Sequence, residues 1–178
     1  MKKSNVAAVV VTFNRIALVM KCLSALQTQT IPCDILLVDN ASTDGKAQEV
    51  HKLLGEQVQY RNTGTNLGGA GGFHYGMCWA IEAGYDYVWV MDDDCAPQPN
   101  ALKELLDGRY GFLCSAVLWT DGNACMMNRQ KVKKLLKFSA VAEAWHCSGR
   151  ASHLCQPSDS GFRYPAGRAT DPEIFHLG

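Results

Sequence analysis

Apolar positions fall into two alternating rhythms over the first two thirds of the chain. Val6-Ala7-Ala8-Val9-Val10-Val11 is an unbroken run rich in β-branched residues, which suits a strand buried on both faces. Ile16, Val19, Met20, Leu23 and Leu26 follow at helical spacing. Ile35-Leu36-Leu37-Val38 predicts a second buried strand. Asp44 as N-cap and Gly55 as stop frame a helix running to about Leu54. Val58-Gln59-Tyr60-Arg61 predicts a third strand, and a glycine-rich loop then leads into a helix over 72–82 with Phe73, Met77 and Ile81 on one side. Tyr87-Val88-Trp89-Val90-Met91 predicts a fourth strand, followed by a helix over 100–106 and a strand over 111–118. Short strands between amphipathic helices predict an α/β fold: an open, mostly parallel sheet with helices on both faces. Ligands of such sheets bind in the crevice beyond the carboxyl ends of the strands.

Every unusual polar cluster of the chain lies at such an end. Thr12-Phe13-Asn14-Arg15 follows the first strand, and Asp39-Asn40-Ala41-Ser42-Thr43-Asp44-Gly45 follows the second. The segment from Asn62 to Gly72, with five glycines, follows the third, and Asp92-Asp93-Asp94 follows the fourth. Three adjacent carboxylates repel one another, and a hard divalent cation such as Mg2+ or Mn2+ relieves that repulsion. A solvated acidic turn capping the next helix is the other reading of the triplet, and a flexible turn is the other reading of the glycines. Together the clusters offer acceptors for a base and ribose, small residues for close approach of a diphosphate, and metal-binding oxygens. A dinucleotide-binding site would place its glycines in the first strand-to-helix turn, which has none, and the Gly-Lys-Ser/Thr of a Walker loop is missing. A nucleotidyltransferase would carry a basic, glycine-rich early loop where Thr-Phe-Asn-Arg stands.

Bulk properties narrow the class further. Basic and acidic side chains balance at 17 each, so no global field favours nucleic acid or an anionic membrane. No apolar run approaches the roughly 20 residues of a membrane span, and no signal peptide precedes the first strand. The eight cysteines follow no metal or disulfide spacing, which predicts reduced, mostly packed thiols in a cytoplasmic protein.

Four ordered motifs, VVVTFNR, LLVDNASTDG, NTGTNLGGAGGFHYGM and YVWVMDDD, resemble the inverting GT-A glycosyltransferases of family 2. The resemblance covers about residues 5–137 and is strongest to the galactofuranosyltransferase and rhamnosyltransferase-like branch. It implies a GT-A nucleotide-diphospho-sugar transferase fold and a metal-dependent transfer from a UDP- or dTDP-linked sugar to a cell-surface glycan or lipid-linked acceptor. Thr12, Phe13 and Asn14 would lie near the base and ribose, and Asp39 would accept the base N3–H. Asn66 with Gly68, Gly69, Gly71 and Gly72 would approach the ribose and pyrophosphate. Asp92 and Asp94 would hold Mn2+ or Mg2+, with Asp92 and Asp93 also facing the nucleotide-sugar. A lipid-linked acceptor implies peripheral association with the inner face of the cell membrane. Arg15 is read as a solvated cation within reach of a phosphate, and His74 and Trp79 as packing residues.

The pattern changes after the predicted strands. Residues 1–138, read as the nucleotide-sugar-binding domain, hold ten Lys and four Arg, whereas 139–178 hold no Lys and three Arg, with three of the five His. This tail lacks sustained periodicity and reads as irregular. His146, Cys147, His153 and Cys155 fit no standard zinc spacing. The general base of an inverting transfer has no match here, although the family supplies it from an acidic motif well beyond the metal site. With permitted codons and a one-nucleotide shift, Asp171–Gly178 can spell Ile-Arg-Lys-Phe-Phe-Ile-Trp, a segment that precedes the acidic motif in the family. A frameshift between about Lys137 and Leu154 is therefore expected, with an exposed sheet edge beside the break.

Overall fold

The structure is a computed structural model that describes residues 5–44, 57–108, 112–125, 147–148 and 153–155. The predicted helix between Asp44 and Gly55, the His146–Cys155 cluster as a ligand set, and the shifted segment 171–178 lie outside the described residues.

Four strands form the parallel heart of the molecule: β1 (Val6–Thr12), β2 (Asp34–Asp39), β3 (Val58–Asn62) and β4 (Tyr87–Asp92). Helix α1 (Ile16–Gln27) links the first two, and α2 (Gly68–Glu82) precedes the fourth. Beyond β4 come β5 (Ala96–Pro97), α3 (Ala101–Asp107), β6 (Phe112–Cys114), β7 (Val117–Leu118), β8 (Cys147–Ser148) and β9 (His153–Cys155). The main sheet runs β3-β2-β1-β4-β9-β6, and a small second sheet runs β5-β8-β7. Strands β3, β2, β1 and β4 are mutually parallel, while β9 runs antiparallel to both β4 and β6.

The period-two geometry of a strand sorts the apolar runs onto two faces. Ala8, Val10, Ile35, Leu37, Trp89 and Met91 pack with Val19, Cys22, Leu23 and Leu26 of α1 and Leu102 and Leu105 of α3. Ala7, Val9, Val11, Leu36, Val38 and Val88 pack instead with Trp79 and Ala80 of α2. Both faces are thus covered, as unbroken apolar strands require. The buried Gln29 fastens α3 to the end of α1. Its amide donates to the Gln98 carbonyl at 2.8 Å, and its oxygen accepts from the Leu102 N–H at 3.1 Å.

Several expectations change. Helix α2 begins at Gly68, so the glycines read as a loop form its first turns. Its buried face is Gly72, Gly76, Trp79 and Ala80, while Phe73 and Met77 only flank it and Ile81 is exposed. A Cβ on Gly76 would lie 2.3 Å from Val9 Cγ1, and one on Gly72 would lie 2.6 Å from Val11 Cγ1. Missing side chains therefore let the helix sit directly on the sheet, a contact that hydrophobic periodicity does not register. The strand expected over 111–118 is two short strands in different sheets, β6 and β7. Beside β4 the sheet continues through β9, and backbone pairing does not depend on side-chain identity. Among the described residues Cys22, Cys33, Cys95 and Cys125 are buried, and burial pushes the Cys33 thiol up to about 12.

Candidate nucleotide-sugar site

The strand order reverses between β2 and β4 around β1, so the topological switch point lies at the carboxyl ends of β1 and β4. Register places the polar ends of the strands in one row. Asn62 is level with Asp39, Asp39 with Thr12, and Val11 with Asp92, which puts Asp93 beside Thr12.

Hydrogen bonds then tie the four loops together. Thr12 Oγ1 donates to Asp93 Oδ2 at 2.7 Å, and both residues are buried. Asn14, at φ 54°, donates its backbone N–H to Ser42 Oγ at 2.9 Å and accepts the Thr43 N–H at 2.9 Å. The first and second loops are thereby joined. Asn40 joins the second to the third: its amide donates to Asn66 Oδ1 and the Gly68 carbonyl, both at 3.0 Å, and its oxygen accepts the Leu67 N–H at 2.9 Å. Arg15, the residue preceding α1, reaches Asp93 Oδ1 at 3.4 Å and Asp94 Oδ2 at 3.5 Å, joining the first loop to the fourth.

Asp39 is 2% exposed and both of its oxygens are engaged. Oδ1 accepts the Ser42 N–H at 2.8 Å; Oδ2 accepts the Tyr60 hydroxyl at 2.6 Å and the Asn62 amide at 2.9 Å. The carboxylate therefore caps its own turn, and further acceptance by Oδ1 uses its second lone pair. Burial first, and the Asp39 hydrogen bond second, raise the Tyr60 phenol above its ordinary value. Ala41 has φ 64°, a conformation a non-glycine residue adopts only when its surroundings impose it.

The aspartates differ among themselves. Asp93 is buried, and that burial raises its carboxyl above the usual range, while Thr12 and Arg15 pull it back. Asp94 carries a buried oxygen, Oδ1, with no hydrogen-bond partner, and Asp92 is partly exposed at the strand end. A hard cation fits this donor set, because an orphaned carboxylate oxygen gains a ligand where it otherwise forfeits solvation. Among the described residues no group of three or more His, Cys, Asp or Glu is arranged around one point. Two carboxylates completed by phosphate oxygens is the usual manner of Mg2+.

The remaining candidates sort by surroundings. Phe13 and Leu67 are exposed. Gly68, at φ +70°, and Gly69 have open space where a Cβ would stand, so this turn admits close approach of a ligand. Gly71 faces Leu67 Cβ at 2.6 Å and Gly72 faces Val11, so packing already accounts for both. His74 lies 3.6 Å from Cys78 Sγ, and Trp79 is buried on α2 under the Arg61 guanidinium at 4.2 Å. Sequence reasoning missed Asn40, Tyr60 and Asn62 as site-builders and undervalued Arg15. Asn40 directly after the strand-ending Asp39 was the available signal.

Comparison with known proteins shows the family and the fold. Residues 7–111 match the family model described as glycosyl transferase family 2. The galactofuranosyltransferase GlfT1 of Mycolicibacterium smegmatis is 39% identical over 103 residues, which is 57% of this chain and 33% of that protein. GlfT1 of Mycobacterium tuberculosis is 42% identical over 95 residues, 51% of this chain and 30% of that protein. The undecaprenyl-phosphate mannosyltransferase of Micrococcus luteus is 34% identical over 106 residues, 57% of this chain and 43% of that protein. The chain thus spans about a third of the length of the galactofuranosyltransferases it matches. Among solved structures, S. aureus TarS 1–349 superposes with a TM-score of 0.57 at 22% identity, over 76% of this chain and 40% of that one. TarS 1–349 in complex with UDP-GlcNAc gives the same score at 21% identity, over 75% of this chain and 38% of that one. The shared feature is the GT-A fold.

Proposed function

Because the chain belongs to glycosyl transferase family 2, we propose that its strand-end row binds the nucleotide of a UDP- or dTDP-linked sugar for an inverting, metal-dependent transfer. The observation that carries this reading is the hydrogen-bonded joining of four loops, from Thr12, Asp39, Asn40 and Asp93, at one edge of the sheet. Asp39 offers an acceptor to the base N3–H, with Tyr60 and Asn62 fixing the direction of its carboxylate. Phe13 presents an exposed ring on the first loop. The open backbone at Gly68 and Gly69, at the start of α2, receives the pyrophosphate, where the N–H groups of the first helical turn favour an anion. Asn66 holds that turn through Asn40 and Gly68. Thr12 and Asn14 act within the frame: one holds Asp93, the other holds Thr43.

Asp92 and Asp94 would hold Mn2+ or Mg2+, which when bound neutralises charge on the departing diphosphate. In the transfer the acceptor oxygen forms its bond to the sugar C1 as the C1–O bond to the diphosphate breaks. The bonding pair leaves with the diphosphate, and the acceptor proton passes to a base. UDP-galactofuranose is the favoured donor, dTDP-rhamnose the second, and a cell-surface glycan or its lipid-linked precursor the acceptor. That acceptor places the protein in the cytoplasm against the inner face of the membrane. No helix among the described residues is long and apolar enough to cross it.

A second reading, a nucleotide-sugar-binding fragment without catalysis, is favoured by one observation. Asp39 and Asp93 are buried and hydrogen-bonded, and Asp92 and Asp94 are assigned to the cation, which leaves the network no carboxylate for the acceptor proton. Calorimetry with UDP and Mn2+ beside a transfer assay with UDP-galactofuranose separates the readings. Binding with turnover supports the enzyme, binding alone supports the fragment, and no UDP binding overturns both.

A further inference from the structure

We propose that Arg15 is a built-in counter-cation of the aspartate triplet, competing with the divalent ion for Asp94 and turning to the diphosphate when that ion binds. The inference rests on the nucleotide-sugar reading above and adds to it a residue that couples cation and nucleotide. The guanidinium stands 3.4 Å from Asp93 Oδ1 and 3.5 Å from Asp94 Oδ2. These are long contacts for charge-assisted hydrogen bonds, so the pairing is loose. Its side chain is 47% exposed, against 4% for Asp93 and 26% for Asp94, so the head has more room to move than the acids, and Thr12 holds Asp93. On Asp94 the arginine takes Oδ2 and leaves Oδ1 buried without a partner, so one oxygen of the same carboxylate remains for a cation.

Two positive groups cannot share that carboxylate without mutual repulsion, and a compact dication binds carboxylates better than a half-exposed guanidinium. Arg15 then needs a new acceptor. It leads into α1 beside the switch point and next to the carboxylates, and a guanidinium released there pairs readily with phosphate oxygens.

The test measures Mn2+ binding to the full chain without nucleotide, by electron paramagnetic resonance of the free ion, and UDP binding at saturating Mn2+. Arg15→Met is expected to bind Mn2+ about two- to fivefold tighter, the scale of a half-exposed ion pair, and UDP several-fold more weakly. Arg15→Lys keeps the charge and is expected to stay near the wild type in both. A merely structural arginine would leave Mn2+ binding unchanged or weaker when lost, because the acids would lose their alignment. Either result overturns the proposal, as does tighter Mn2+ binding with unchanged UDP affinity. Asp94→Asn separates this failure from that of the underlying reading: if it leaves Mn2+ binding intact, the triplet is no cation site and both fall.

Discussion

Thr12 and Asp93 meet at 2.7 Å across a sequence separation of 81 residues, and their bond closes the switch point of the sheet. Strand β1 supplies the hydroxyl and the residue just past β4 supplies the acceptor, so the position of the aspartates is fixed from the neighbouring strand. Thr12→Val keeps the shape and removes the donor from a buried carboxylate. It is expected to cost about 1–3 kcal/mol in urea unfolding, with Thr12→Ser recovering most of the loss. Equal stability of the valine variant and the wild type would show that the contact does not hold the aspartates.

Asn40 is buried and spends both ends of its amide on the loop that starts α2. Asn40→Ala should cost on the order of 3 kcal/mol, because several backbone and side-chain groups lose partners together. Hydrogen exchange at the Leu67 and Gly68 amides should accelerate before that of β1. Uniform acceleration across the sheet would count against a local tie.

The glycines of α2 divide by surroundings, and single methyl groups read the division. Gly76→Ala places a methyl 2.3 Å from Val9 and 3.1 Å from Val38, and should destabilise by about 1–3 kcal/mol through overpacking. Gly69→Ala meets nothing within 4 Å and should stabilise by up to about 1 kcal/mol, from the lower helical cost of alanine. A loss of UDP affinity in the stabilised Gly69→Ala protein would mark the pyrophosphate at this turn. Unchanged affinity would place the pyrophosphate elsewhere.

Tyr85 reports on the opposite end of β2. Burial, followed by its 2.8 Å hydrogen bond to Asp34, pushes its phenol up to about 12 from an ordinary 10. A group whose folded value is raised contributes stability fully below its unfolded value and loses it as pH climbs through the folded one. The advantage of the wild type over Tyr85→Phe in urea unfolding should therefore be full at neutral pH and shrink between pH 10 and 12. An advantage that stays constant across that window would remove the phenol from the balance. UDP affinity should not change in this variant, whereas Tyr60→Phe, which takes one hydrogen bond from Asp39, should lower it several-fold.

Much of this architecture was legible in the residues. The β-branched runs of β1 and β2 and the spacing of Val19, Leu23 and Leu26 announced buried strands and a covering helix, because burial on two faces or on one stripe writes itself into local periodicity. The polar clusters declared themselves by standing where each run stops. Helix α2 was half hidden, since glycines carry no hydrophobic signal while Gly72 and Gly76 are what bring it against the sheet. The short strands were legible only in part, β6 and β7 as one strand over 111–118 and β8 and β9 not at all: two or three residues form no period, and a backbone ladder accepts nearly any side chain.

The chain's order of residues settled which segments are strands, which ends are polar, and that carboxylates, asparagines and glycines collect at those ends. Tertiary structure alone decided which partner each of them meets. It committed Thr12 to Asp93, Asn40 to the start of α2 and Tyr60 to Asp39, and it set Arg15 between two aspartates. The physical reason is that a side chain's chemistry is local, whereas its hydrogen-bond partner is chosen by strand register and crossover, which join residues far apart along the chain.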